Sequence, residues 1–182
     1  MEDPELVTSL RRGDDAAYAT IFRTVYAGLV GAAERLLGDR ASAEDVAQDV
    51  MLELWKRRDA LPADVSLRGY LYQSVRNRAL NRLRHLRTVR EAEPHVRPPT
   101  AAPPADAHAA TGELEAAMRQ AVADLPEEVR ETFLMSRVDG LTYAEIASAL
   151  GLSVKTVEAR MGRALRLVRE RLAPWLPEGG GW

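Results

Sequence analysis

Tyr70, Gln73, Asn77, Asn81 and Arg84 recur at spacings of three, four, four and three residues. On a helix of 3.6 residues per turn that spacing gathers an aromatic ring, three amides and a guanidinium on one face. These are groups that stack on nucleobases or hydrogen-bond their edges, so the face suits a nucleic-acid strand with accessible bases. It belongs to the stretch RGYLYQSVRNRALNRLRHLR, which contains no acid. Arg68, Arg76, Arg78, Arg82 and Arg87 fall elsewhere around the same cylinder, where they can follow a phosphate backbone. The plain alternative is an arginine-rich solvated helix whose tyrosines belong partly to the core.

A second candidate surface lies near the carboxyl end, in TYAEIASALGLSVKTVEARMGRALRLVRERL. Thr142 and Glu145 form a capping box, Gly151 supplies a turn, and Ser153 caps a further helix, the arrangement of a helix-turn-helix. Ala147 is small where the two helices must approach, and Val157 is an apolar anchor. Val157, Met161, Ala164, Leu165, Val168 and Leu172 are expected as the buried stripe. Lys155, Glu158, Ala159, Gly162, Arg163 and Arg166 are left for the other side. Cations meet phosphates, a carboxylate accepts from cytosine N4, an arginine forks onto guanine, and small residues permit close approach to a major groove. Two packed amphipathic helices with a solvated basic face are the alternative.

A third set precedes the first. In AEDVAQDVMLELWKRRD, Val46, Ala47, Val50 and Leu54 can face inward, leaving Asp45, Gln48, Asp49, Leu52 and Trp55 on the outside or its margin. Large apolar groups among carboxylates resemble a protein-docking surface, since aromatic anchors concentrate at interfaces. Trp55 can equally belong to the core.

These surfaces need helices to carry them. Apolar residues recur at helical spacing throughout and alternating strand-like runs are missing, so the expected fold is all-α. PHVRPPTAAPPADAHAATG, with five prolines, reads as an extended, mobile connector. It leaves two small helical domains joined by a Pro/Ala-rich linker, the second a helix-turn-helix: 1–90, linker 91–112, 113–173 and a tail 174–182. Within the first, Asp14 or Asp15 opens a helix that Gly38 ends, Gly28 and Gly31 weaken it locally, Ser42 with Asp45 caps the next, and Ser66 caps the third. Leu67, Leu71, Val75, Ala79 and Leu83 should form the buried side of that third helix. Pro126 should occupy the first turn of a helix that Asp139 and Gly140 stop.

Composition narrows the chemistry. The 182 residues carry 27 acidic and 25 basic side chains, a formal charge of −2, with 46% hydrophobic residues and no cysteine. Disulfides, thiol nucleophiles and cysteine-based zinc sites are excluded. His85, His95 and His108 fall at a helix end or in the connector, too far from any fixed carboxylate pair for a metal site or triad. No catalytic residue, metal or cofactor is expected. The acidic amino terminus lacks a signal-peptide pattern and no apolar run is long enough to insert in a membrane, so a cytoplasmic protein is expected. Residues 66–87 and 153–171 concentrate positive charge within an acidic surround.

Taken in order, AEDVAQDVMLELWKRRD, LRGYLYQSVRNRALNRLR and LPEEVRETFLMSRVDGLTYAEIASALGLSVKTVEARMGRALRLVRERL resemble regions two and four of a bacterial extracytoplasmic-function RNA polymerase sigma factor. The resemblance runs from about residue 14 to 172 and includes the proline-rich connector. It implies that Asp45, Gln48, Asp49, Leu52 and Trp55 dock on the β′ clamp helices of core RNA polymerase. Tyr70, Gln73, Arg76, Asn77, Asn81 and Arg84, with the loop 59–66, would meet the minus-ten element of promoter DNA and capture one non-template base outside the stack. Ser153, Lys155, Thr156, Glu158, Ala159, Arg160 and Arg163 would bind the minus-thirty-five element as duplex. The second domain would meet the β flap, and an anti-sigma protein would hold the factor inactive. Tyr70 stands where many relatives carry tryptophan. Two rivals remain open: a polymerase-independent transcription regulator whose first half senses a ligand, and, more distantly, an enzyme.

Overall fold

The computed structural model describes residues 4–62, 65–92 and 112–175. Among them there are only helices: α1 (Pro4–Arg11), α2 (Asp15–Leu37), α3 (Arg40–Lys56), α4 (Leu67–Ala92), α5 (Glu113–Ala123), α6 (Glu127–Arg137), α7 (Tyr143–Leu150) and α8 (Val154–Leu172), with 3-10 turns at Arg58–Ala60 and Ala173–Trp175. The chain divides into two compact units, one containing α1 to α4 and the other α5, α6, α8 and most of α7. The expected connector falls almost entirely outside the described residues, as does most of the expected tail.

In the first unit α2 packs on α3 and α4, and α3 on α4. Asp14 caps α2, its carboxylate accepting from the Ala16 N–H at 2.8 Å, and Gly38 ends the helix in a left-handed conformation, φ 72°. Burial of Ile21, Val25, Leu29, Val46, Val50, Leu54, Leu71 and Val75 builds the core. Gly28 has a purpose beyond weakening the helix: a β-carbon there would collide with the Tyr72 hydroxyl, so its bare backbone lets α4 lie close to α2. Tyr72 is a core residue, 2% exposed.

Several local expectations are corrected. Helix α3 starts at Arg40 rather than Ser42, because the Asp39 carboxylate accepts from the Ser42 N–H at 2.9 Å; Ser42 is the capped residue. Helix α4 starts at Leu67, next to Ser66, but the buried Ser66 hydroxyl makes no hydrogen bond and does not cap it. Helix α1, packed on α2, was not expected at all. Farther along α4, Leu83 is only half-buried, whereas Leu67, Leu71, Val75 and Ala79 are buried as expected.

The second unit has an apolar cluster of Ala121, Leu125, Val129, Ala164, Val168 and Leu172, drawn from α5, the turn after it, α6 and α8. Pro126 is the N-cap of α6, one residue earlier than expected, with Glu127 and Glu128 in the first turn against its positive end. The capping box forms as expected: the Thr142 N–H donates to Glu145 Oε2 at 2.7 Å and the Glu145 N–H to Thr142 Oγ1 at 3.2 Å. Gly151, φ 67°, turns the chain into Ser153, whose hydroxyl accepts from the Thr156 N–H at 3.1 Å and starts α8. Val157, Met161, Ala164, Val168 and Leu172 are buried, but Leu165 is 43% exposed. The apolar stripe is therefore narrower than sequence spacing implies.

Candidate nucleic-acid interface

Helix α4 carries the first surface. Asn77, Asn81 and Arg84 are exposed, and Tyr70, Gln73 and Arg76 half-buried. The Asn77 and Asn81 amides bond to no other described residue and point to solvent with their full hydrogen-bonding capacity. Tyr70 stands one helical turn before Ser74, whose hydroxyl donates to its carbonyl at 2.8 Å.

Not all the expected backbone-following cations are unengaged. Arg78 pairs with Glu53 of α3, and Arg82 Nη1 lies 3.6 Å from Asp45 Oδ2. Glu53 also holds Arg57 Nε at 2.9 Å. The acid-free stretch is thus partly neutralised by the neighbouring helix, through partners that no spacing along the chain reveals.

The outer side of α3 is the second surface. Asp45, Gln48, Asp49 and Leu52 are exposed, Leu52 by 50%, a large value for a leucine. Asp49, Leu52, Glu53, Lys56 and Arg57 line an open groove with Arg78 of α4. Trp55 is half-buried: Tyr18 meets its ring edge-on at 5.1 Å between centroids and the Arg58 guanidinium lies 4.4 Å above it. Tyr18 donates its hydroxyl to the Met51 carbonyl at 3.2 Å, and burial raises its pKa above the ordinary value. Phe22 and Tyr26 stack at 4.4 Å farther along α2, and the Gln48 amide donates to the Tyr26 hydroxyl at 3.4 Å. This aromatic row at i, i+4, i+8 went unread in the sequence, although its helical spacing was visible.

Helix α8 carries the third surface. Ser153, Lys155, Glu158, Ala159 and Arg163 are exposed, and Thr156 and Arg160 half-buried. Thr156 Oγ1 lies 2.8 Å from the Ser153 hydroxyl, so these two groups serve the helix cap as well as facing outward. The Arg160 side chain is 21% exposed and its Nη2 donates to Glu128 Oε2 of α6 at 2.7 Å. Arg171 is tied likewise to Asp124, at 2.7 Å. Lys155, Glu158 and Arg163 remain as the outward polar set, with Ala159 and Gly162 leaving the backbone accessible. No group of three His, Asp or Glu side chains suited to a metal occurs among the described residues, and no described helix is long and apolar enough to cross a membrane.

Comparison with known proteins places these surfaces in a family. The sigma-70 region 2 family model matches residues 21–89 and the sigma-70 region 4 model residues 115–168. The chain is similar to the ECF RNA polymerase sigma factor SigL of Mycobacterium tuberculosis, with 32% identity over 164 residues, covering 86% of this chain and 92% of SigL. It is also similar to the RNA polymerase sigma-H factor of Pseudomonas aeruginosa, 28% identical and covering 97% of each. In fold it resembles CnrH, solved in complex with the cytosolic domain of CnrY, with a TM-score of 0.63, 22% identity and coverage of 94% and 97%. The sigma factor RpoE of Bartonella quintana, solved with the anti-sigma factor NepR, gives the same TM-score and identity over 86% and 96%. With both regions matched in order and a curated relative aligned over nearly its whole length, the chain belongs to the ECF sigma factors and is an RNA polymerase sigma factor of transcription initiation.

Proposed function

We propose that the first unit holds the opened non-template strand of the minus-ten element on α4, while the second reads the minus-thirty-five element as duplex through α8. The observation carrying this reading is the pair Asn77 and Asn81: exposed amides without partners among the described residues, on a helix rich in arginine. Amides in that state lose nothing within the protein when they bond base edges. Capturing one base outside the stack costs a few kcal/mol, and the arginines nearby supply phosphate contacts toward that cost. On α8, Arg163, Lys155 and Glu158 are the groove-facing groups, while Arg160 acts from its bond to Glu128.

Asp45, Gln48, Asp49, Leu52 and Trp55 dock on the β′ clamp helices, with Leu52 as the exposed apolar anchor, and the second unit engages the β flap. The protein works in the cytoplasm and has no catalytic role of its own; phosphoryl transfer belongs to core polymerase. An anti-sigma protein is its expected inhibitor, a reading supported by the complex of the sigma factor RpoE with the anti-sigma factor NepR.

Run-off transcription with purified core polymerase, followed by mapping of start sites, tests the reading. Asn77→Ala is expected to leave core binding intact and to slow promoter opening; Leu52→Ser is expected to weaken core binding first. Leu52 is the better probe than Trp55, whose removal would also disturb Tyr18 and Arg58. The reverse pattern would mean that the two surfaces have been exchanged.

A further inference from the structure

The ion pairs between α3 and α4 connect two surfaces that the proposed function keeps apart. Arg78 and Arg82 each follow one of the exposed amides, Asn77 and Asn81, along α4. Their partners Glu53 and Asp45 lie on α3, Asp45 within the docking set and Glu53 in the groove beside Leu52. Arg78 lines that same groove, so one side chain is shared by the docking side of α3 and the strand side of α4. The pairs run in opposite chain order, the later acid with the earlier arginine, and therefore brace two antiparallel helices.

We propose that Asp45 and Glu53 are built-in counter-ions that compete with nucleic-acid phosphates for Arg82 and Arg78, and that a cationic partner surface seated on α3 releases the two arginines to the strand. The inference rests on the reading of α4 as the strand-binding helix and adds the regulation of that site. Its physics is ion exchange. When Arg82 leaves Asp45 for a phosphate, the abandoned carboxylate must recruit a solvent cation, which cancels part of the counter-ion release that drives binding; Glu53, left by Arg78, keeps Arg57 and recruits less. A partner that brings its own cations to Asp45 and Glu53 removes the need for that uptake. The coupling is reciprocal: strand binding frees the two carboxylates and strengthens the partner's hold by the same factor.

The test uses the full-length chain without polymerase and a labelled oligothymidine, titrated by fluorescence anisotropy across a range of salt concentrations. Asp45→Asn/Glu53→Gln is expected to bind several-fold tighter than the parent at low salt. Its slope of log K against log salt should steepen by about 0.7 for the phosphate at Arg82 and by less than that again at Arg78, because Glu53 keeps Arg57 in the parent. Asp15→Asn/Glu127→Gln removes equal charge at exposed acids outside these pairs and is expected to move the slope little. Thermal unfolding of each variant confirms folding, and Asp45→Asn alone, at an exposed site, should show part of the effect. Equal affinity and slope in parent and double variant overturn the proposal, as does an equal gain in the Asp15/Glu127 control. Asn81→Ala/Arg84→Ala separates the two levels. If it lowers strand binding while the acid variants change nothing, the counter-ion device is wrong and the strand-binding reading stands; if it has no effect in any background, that reading fails and takes the device with it.

Discussion

Two glycines make opposite demands on their helices. Nothing lies within 4 Å of a β-carbon added at Gly162, so the packing of α8 gives no reason for a residue that costs a helix interior about 0.8–1.0 kcal/mol relative to alanine. On the proposed reading of α8, its reason is outside the protein, in a face that approaches a duplex closely. Gly162→Ala is therefore expected to stabilise the second unit by up to about 1 kcal/mol while weakening binding to upstream duplex in the holoenzyme. Thermal unfolding and a filter-binding assay check the two halves, and a stabilised variant with undiminished binding would remove Gly162 from the interface. Gly28 is the reverse case, because Tyr72 occupies the space a side chain would need. Gly28→Ala should destabilise the first unit by about 1–3 kcal/mol, the usual cost of overpacking, despite alanine's better propensity. Replacing Tyr72 by phenylalanine in the same chain should recover part of the loss in a urea titration.

At the scale of the helix, the caps decide what could be read in advance. Asp14, Gly38, the Thr142–Glu145 box, Gly151 and Ser153 act locally, within four residues, and their spacing is sufficient to predict them. Helix α3 misled because Ser42 and Asp45 also satisfy a capping pattern; backbone geometry favours Asp39, whose bond to Ser42 adds two residues to the helix ahead of it. Leu165 misled because helical spacing marks an arc without fixing its width. The pairs Arg78–Glu53 and Arg160–Glu128 were illegible, since they join residues 25 and 32 positions apart whose meeting depends on helix packing. The Asp39 cap also has a pH signature. Hydrogen bonds from Ser42, chiefly its side chain, hold the Asp39 carboxyl below the ordinary 3.8. A depressed folded-state value means that the cap's contribution is present above pH 3.8 and fades as pH falls through the lower folded value. Asp39→Asn retains an N-cap acceptor without that ionisation, so its unfolding midpoint should fall less steeply than the parent's in this acid window. Parallel denaturation curves through the window would show that Asp39 is not a titrating cap.

Across the whole molecule, the proposed reading gives charge the task of keeping either unit from acting alone. A net −2 opposes non-specific DNA binding, α3 acids neutralise two α4 arginines, and Glu128 and Asp124 hold Arg160 and Arg171 on α8. Each exposed pair contributes at most about 1 kcal/mol, so none locks the molecule, but each lowers the intrinsic pull of a basic face on DNA. Promoter binding must then come from joining weak contacts. When one unit is seated on its element, the covalent chain presents the other at an effective concentration in the millimolar range, and joint binding can exceed either separate affinity by about 10² to 10⁴. A protease site inserted within 93–111 allows that gain to be measured. Cleavage before assembly is expected to cut transcription from a promoter bearing both elements by at least about tenfold, with a smaller loss from one bearing only the minus-ten element. Raising the concentration of the cleaved second unit should restore output, since mass action then substitutes for the tether. If cleavage leaves both promoters equally active, polymerase holds each unit firmly enough without the peptide link, and the division of affinity argued from charge is wrong.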